Sequence, residues 1–348
     1  MKYSIIIAAT RRNELDGCLL SLEKQTLSKD KFEIIILTDG KQKIKKNDLN
    51  IKLFSLPVKS HPSFKRNFGV SKSQWEILCF LDDDTQVPAD WLENISEIME
   101  KNSEIIISGP NLDKRKKFQY RIANAIQKNF LTEGLISHSS FTKKYIFSNH
   151  HNMPLCNLVI PRKIYEQING FNEIADYFMD DVEFCYIASE LKYQLRLYPQ
   201  LEIQHNLRPL FLPYFKYKFR TRYKTGNNFI LFPECYYQAK QIWLIGISYL
   251  FLLFLPWLIK LDFFWKAITI FLGIYFLLIL ISIIKHFQRP WEGIVAFSST
   301  ILVHLLSWLG FTLGLIKSIL QLTFNHQKSK IILDYKKIRY QIFKDENH

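Results

Sequence analysis

Residues 78–88, LCFLDDDTQVP, decide how this chain reads. Leu78, Cys79, Phe80 and Leu81 make a short apolar run of the kind a buried strand shows, and it leads directly into Asp82, Asp83 and Asp84 before Pro88 stops it. Three adjacent carboxylates repel one another. A hard divalent cation, which takes oxygen ligands, relieves that repulsion. The carboxyl end of a strand in an open α/β sheet is also where such folds hold ligands. Alone, the triplet reads equally well as an acidic loop capping the helix that starts near Trp91.

Outward from this stretch the chain supplies a sheet. Tyr3 to Ala9 is a continuous apolar run, the pattern of a strand buried on both faces. Glu14 to Gln25 carries Leu15, Cys18, Leu19 and Leu22 at helical spacing, and Phe32 to Leu37 is a second strand. Strand, helix, strand makes a βαβ unit and predicts a parallel sheet. The second strand runs into Thr38, Asp39 and Gly40, so two strands end in acidic residues that can face one crevice. Further strands are expected over Ile51–Leu56, Ile105–Ser108, Pro154–Ile160 and Gln194–Tyr198, with Leu201–His205 closing the soluble part. Helices are expected over Ser63–Ser73, Trp91–Met99 and Arg162–Asn169, the last closed by Gly170. Asp180 and Asp181 open a helix whose Phe184, Ile187, Ala188 and Leu191 share a face; carboxylates there are also what a helix dipole stabilises. The basic, aromatic segment Asn111–His151 lacks clear periodicity and is expected to be a mobile insertion over the site.

A length of 348 residues leaves room for a soluble domain of about 200 residues and a second region. The formal charge of +14 suits nucleic acid, an anionic membrane or phosphorylated substrates. Because the basic residues gather near apolar segments that concentrate after Gln241, the membrane is favoured and nucleic acid is not expected. Cys18, Cys79, Cys156, Cys185 and Cys235 form no CxxC pair or zinc spacing and read as reduced residues of a cytosolic domain. The opening MKYSIIIAATRR is too short in its apolar run for a signal peptide and reads as a first strand, leaving this half of the chain in the cytoplasm.

Between Leu207 and Gln238 the pattern changes. Phe215, Phe219, Tyr223 and Ile230 fall on one helical stripe, surrounded by Lys216, Lys218, Arg220, Arg222 and Lys224, as in a helix lying in a membrane interface. Ile242–Ile259 and Phe264–Ile284 each approach the ~20 apolar residues that cross a bilayer, and Trp243, Trp257 and Trp265 sit near their ends. Gly293–Ile316 is a third apolar stretch, with Thr300, His304, Ser307 and Gly314 along one side. It either packs against the other helices or forms a re-entrant or interfacial helix. The tail, with Lys328, Lys330, Lys336, Lys337, Arg339 and Lys344, favours two spans and a third segment that does not cross, since positive charge prefers the cytoplasm. The expected organisation is a catalytic domain over 1–206, a basic amphipathic segment over 207–240, a membrane region over 241–320 and a basic tail over 321–348.

Taken in order, Asp39, Arg66, the Asp82–Asp84 triplet, Asp180 with Asp181, and His205 resemble the pattern of inverting family 2 glycosyltransferases of the GT-A fold. The pieces that carry the resemblance are SIIIAAT, EIIILTDG, KRNFG at 65–69, FLDDDT at 80–85, CNLVIPRKIYEQINGFNE at 156–173 and MDDVEF at 179–184. It covers residues ~1–206, a length usual for one α/β domain. The resemblance implies an α/β, Rossmann-like nucleotide-sugar-binding domain followed by helical membrane segments. It implies donor contacts from Thr10, Asp39, Arg66, Asp82 and Asp83, with Asp39 on the base of a UDP- or dTDP-sugar. It implies a Mn2+ or Mg2+ ion on Asp84 and His205, and Asp181 beside Asp180 as general base toward a lipid-linked or cell-envelope glycan acceptor. An anchor at the cytoplasmic membrane, held to anionic lipids by the basic segment, follows from the same reading. The chain departs from the family at Ala8–Arg12, where Pro-Thr-Tyr-Asn-Arg is usual, at Thr38, which replaces an acid, and at Asp180, which replaces Glu. A QxxRW motif is absent, which argues against a processive polymer synthase. The alternatives are a metal-dependent nucleotidyl or phosphoryl transferase, which lacks support from any Gly-rich phosphate loop, and an inactive membrane scaffold.

Overall fold

The computed structural model describes residues 1–10, 12–41, 44, 48–57, 60–128, 141–173, 180–230 and 289–324, with isolated positions between 233 and 281. The elements in chain order are β1 (Tyr3–Ala9), α1 (Arg12–Glu23), β2 (Phe32–Asp39), β3 (Ile51–Leu56), α2 (Pro62–Lys72), β4 (Ile77–Leu81), β5 (Thr85–Gln86), α3 (Trp91–Lys101) and β6 (Ile105–Ser108). They continue as β7 (Asn111–Leu112), α4 (Phe118–Lys128), β8 (Ile146–Phe147), β9 (Asn157–Pro161), α5 (Arg162–Gln167), α6 (Asp180–Glu190), β10 (Gln194–Leu197), β11 (Ile203–His205), α7 (Leu212–Phe229) and α8 (Pro290–Phe324). The chain divides into two units, one from Met1–Lys114 and the described part of Ile136–Asn206, the other from the described parts of Arg115–Leu135 and Leu207–Ser329.

The first unit is a sheet in the order β3-β2-β1-β4-β9-β6-β10-β8. Its strands alternate between two apolar layers because successive side chains point to opposite faces. Ile5 and Ile7 of β1, Ile34 and Ile36 of β2, and Cys79 and Leu81 of β4 join the layer that α1 and α3 complete with Leu22, Trp91 and Ile95. Ile6, Ile35, Leu37, Leu78 and Phe80 join the opposite layer with Val70, Ile164 and Phe184 from α2, α5 and α6. Continuous apolar runs were therefore required, and β1, β3, β4 and β6 form over the expected residues. The parallel sheet predicted from the βαβ unit is found for β3-β2-β1-β4 and for β6-β10. It fails at β9, antiparallel to both β4 and β6, and at β8, antiparallel to β10. A second, three-stranded sheet runs β5-β11-β7.

The expectation of an insertion without order over Asn111–His151 needs correction. This segment contributes β7, β8 and the helix α4, whose Ile122, Ala123 and Ile126 are fully buried; residues 129–140 lie outside the described residues. In the second unit these three side chains pack with Leu210 and Tyr214 and with Ala296 and Val303 of α8.

Among the described residues, α8 is the one helix long and apolar enough to cross a membrane. Its 35 residues correspond to about 52 Å of helix, against about 30 Å of bilayer hydrocarbon. It is continuous over the stretch for which a re-entrant form was considered. Its buried side is Gly293, Ser299, Thr300, His304, Ser307, Gly310, Gly314 and Ser318 together with a few apolar residues, while Leu302, Leu305, Leu309, Leu313 and Ile316 are exposed. A Cβ added at Gly310 would stand 2.5 Å from the Phe219 carbonyl oxygen, one at Gly314 1.8 Å from that of Tyr223, and one at Gly226 of α7 2.0 Å from that of Phe311. Glycines four residues apart thus let α7 and α8 touch backbone to backbone, a packing used where lipid, not water, surrounds the helices. The expected spans Ile242–Ile259 and Phe264–Ile284 fall largely, and the basic tail wholly, outside the described residues.

Candidate active site

The carboxyl end of β4 and the start of β5 form a tight turn in which the Thr85 hydroxyl donates to the Asp82 carbonyl at 2.7 Å. The turn sends its three carboxylates in different directions. Asp83 is buried, and its Oδ2 accepts the Thr10 amide N–H at 2.6 Å and the Thr10 hydroxyl at 3.4 Å. It therefore ties the loop after β1 to the loop after β4. Asp82 and Asp84 face elsewhere, and the small sheet brings them a third ligand. Antiparallel pairing sets His205 of β11 opposite Thr85 of β5, so that His205 Nε2 lies 3.4 Å from Asp84 Oδ1.

One ligand atom from each of Asp82, Asp84 and His205 lies within 4.8 Å of the other two. Two carboxylates and an imidazole suit manganese or magnesium, manganese at least as well. On its far side, His205 Nδ1 stands 3.9 Å from Cys156 Sγ, and Asn111 Nδ2 donates to the same sulfur at 3.3 Å. Burial pulls the imidazole pKa down, but Cys156 and Asp84 outweigh it and hold it well above the ordinary value. A ligating imidazole is neutral, so a cation held here would displace the extra proton.

At the end of β2, Asp39 Oδ1 pairs with Lys65 Nζ at 2.8 Å, and Lys65, 1% exposed, also donates to the Ala9 carbonyl at 3.3 Å. The close seat of α2 makes this pairing possible. A Cβ on Gly69 would meet Ile6 Cγ2 at 2.7 Å and Leu37 Cδ2 at 2.9 Å, so only glycine lets the helix sit so near β1 and β2.

Arg66, next on α2, joins the remaining groups. Its Nη1 binds Asp180 Oδ2 at 2.8 Å and its Nη2 binds Asp82 Oδ1 at 3.2 Å, while the Ser63 hydroxyl donates to the same Asp180 oxygen at 3.1 Å. Asp181 opens α6 beside this pair. Its Oδ1 accepts the Val182 amide N–H at 2.9 Å and its Oδ2 accepts that of Leu155 at 3.4 Å. Burial first, then the charge of Asp180, push the Asp181 carboxyl up to about 7, with Arg66 and the two amides opposing. A carboxylate poised there exchanges protons readily near neutral pH.

Residues 4–168 match the family model described as glycosyl transferase family 2. That stretch is a family 2 glycosyltransferase domain. Asp39, Arg66 and Asp82–Asp84 lie inside the matched span, and Asp181 and His205 follow it. No curated protein sequence gives a significant match. Among solved structures, the domain is similar to S. aureus TarS, at 15% identity and a TM-score of 0.47, with 65% of this chain and 40% of that chain covered. It is also similar to S. aureus TarS 1-349 in complex with UDP-GlcNAc, at 14% identity and 0.47, covering 65% and 67%. A third likeness is to GalNAc-T7 with UDP, GalNAc and Mn2+, at 15% identity and 0.47, covering 68% and 51%. The chain thus spans well under half the length of the full TarS chain.

Every site residue expected from the sequence is described, and they lie at the ends of β1, β2 and β4, on α2, at the start of α6 and on β11. Three take parts that were not expected: Asp82 joins Asp84 and His205 in the metal-suited cluster, Asp83 bonds to Thr10, and Arg66 bridges two carboxylates. Sequence reasoning missed Lys65, Ser63 and Cys156. The first two lie within a turn of Arg66 in HPSFKRNFG, where helical spacing was the available signal. Nothing local marks Cys156.

Proposed function

We propose that the chain transfers a sugar from a nucleotide donor, a UDP- or dTDP-sugar, to a lipid-linked or cell-envelope glycan acceptor with inversion at the anomeric carbon. The observation that carries this reading is Arg66, which links the metal-suited cluster of Asp82, Asp84 and His205 to the Asp180–Asp181 pair. Asp39, oriented by Lys65, accepts a hydrogen bond from N3–H of uracil or thymine. Thr10 and Asp83 hold the loop walls on the donor side. Asp82, Asp84 and His205 would hold a Mn2+ or Mg2+ ion, which would supply positive charge to offset that of the departing diphosphate. Asp181 takes the proton of the acceptor hydroxyl as its oxygen bonds to the anomeric carbon from the face opposite the breaking bond to diphosphate. The near-neutral Asp181 carboxyl supports this role.

Anchoring at the cytoplasmic membrane, with the site toward the cytoplasm, is part of the same proposal; the outward apolar face of α8 supports it. The test is product analysis. Full-length chain in nanodiscs, given a panel of UDP-, dTDP- and GDP-sugars with bacterial lipid extract, should convert one donor into a glycolipid heavier by one sugar, of inverted anomeric configuration by proton NMR coupling. A product retaining the donor configuration contradicts the mechanism. A product heavier by a nucleotide or phosphate contradicts the reaction class.

A further inference from the structure

In the second unit three aromatic rings from separate parts of the chain meet on an exposed surface. Phe118 begins α4, Phe211 directly precedes α7, and Trp291 lies in the first turn of α8. The Phe118 ring lies edge-on to Trp291 at 5.5 Å and to Phe211 at 6.3 Å. Their exposures are 37%, 43% and 46%, and Leu212 beside them is 76% exposed.

Phe211 is also strained. Its φ of 76° with ψ of −141° lies where non-glycine residues are rare. A bulky residue held in such a conformation and then exposed gains nothing from water. Something other than packing accounts for it.

The surrounding charge names the partner. Segments 115–128, 207–230 and 289–324 contain thirteen Lys and Arg residues and a single carboxylate, Glu292. Glu292 is buried and neutralised by Arg121. Lys116 and Lys117 adjoin Phe118, Arg208 and Lys216 flank Phe211, and Arg289 precedes Trp291; all five are exposed. Aromatic rings ringed by cations suit the level where headgroups meet acyl chains in an anionic bilayer. Along α8 the exposed series Ile294, Leu302, Leu305, Leu309 and Leu313 starts at Trp291.

We infer that Phe118, Phe211, Leu212 and Trp291 form an insertion patch that sits in the interface of an anionic bilayer and fixes the depth at which α8 enters it. This rests on the reading of α8 as a membrane helix. It adds a docking surface drawn from three helices, one of them outside the basic segment over 207–240.

The experiment uses the full chain in vesicles containing anionic phospholipid. All five native cysteines are buried, so Leu212→Cys gives one reactive position for an environment-sensitive fluorophore. The expected result is strong quenching by lipids brominated near the glycerol end of the acyl chain, weak quenching by aqueous iodide, and loss of this preference in Phe118→Ser/Trp291→Ser. Quenching by iodide alone, or only by bromine at the chain terminus, overturns the inference. Carbonate extraction is run on the same vesicles. A chain that stays in the membrane with an iodide-accessible label refutes the patch alone, whereas a chain that is washed out refutes the α8 reading. Phe211→Gly separates strain from folding. It should raise the melting temperature in detergent while weakening the shallow quenching at least twofold, and a lowered melting temperature with unchanged quenching would assign the ring to packing.

Discussion

The two units of this chain bury opposite inventories. In the catalytic unit Ile5, Ile6, Ile34, Ile35 and Phe80 are fully enclosed, and the candidate site's carboxylates Asp39 and Asp82–Asp84 lie at the carboxyl ends of β2 and β4. In the second unit α8 turns Ser, Thr, His and Gly inward and shows Leu and Ile to its surroundings. The first arrangement is what water selects, because apolar area removed from it is stabilising at about 25 cal/mol per Å2. The second is stable where the surroundings are themselves apolar and close packing of small residues does the joining. With α8 in lipid, as proposed, the difference teaches that one chain is written for two solvents, with its proposed chemistry confined to the part that faces water.

The sharpest way to break this division is to remove the chemistry alone. Asp181→Asn should lower kcat by about 10²–10⁴-fold, the usual worth of a general base, while donor affinity and residence in membranes stay unchanged. Loss of membrane residence along with activity, measured by flotation, would show that the units are not separable in function. Next in size is a matched pair of truncations. Ile6→Ala, in the fully buried strand β1, should cost about 2–5 kcal/mol of stability in the catalytic unit. Leu309→Ala, at 42% exposure on α8, should cost far less in lipid, as read by denaturant titration in nanodiscs. Leu309→Lys reverses the logic. It is harmless on a helix facing water but costs about 2.5–3.5 kcal/mol in bilayer insertion if this position lies near the centre, which a glycosylation-reporter insertion assay measures.

The smallest effect is a shift in pH dependence. Asp181 is displaced upward to about 7, so the ionised base accumulates as pH rises through 7, and kcat/KM should climb through that point and level off above it. Arg66 opposes the shift. Arg66→Gln removes the positive charge beside the pair, so the rising limb should move to higher pH. A limb that stays in place would remove Arg66 from the control of the base.

Much of the fold was legible because continuous apolar runs such as Tyr3–Ala9 and Ile77–Leu81 admit little besides buried strands. The direction of β9 was not, since CNLVIP reads alike for either orientation and its antiparallel pairing is set by β4 and β6, far away in sequence. Helix α4 escaped notice because Ile122, Ala123 and Ile126 form a short stripe amid Lys and Arg. At the site, the residue types and their order pointed to the carboxylates. Their orientations could not be read: three identical aspartates do not announce that Asp83 turns back to Thr10. Lys65 stayed hidden beside Arg66 because adjacent helix positions point apart, one to Asp39 and the other to Asp82 and Asp180.

The most direct test is nucleoside diphosphate release by the reconstituted chain from its preferred donor, with Mn2+, Mg2+ or chelator, for wild type, Asp84→Ala and Asp181→Asn. The account predicts release that needs the cation, is lost in both variants, and leaves donor binding intact in Asp181→Asn. Release at the wild-type rate in Asp181→Asn, or release indifferent to chelator, would contradict it.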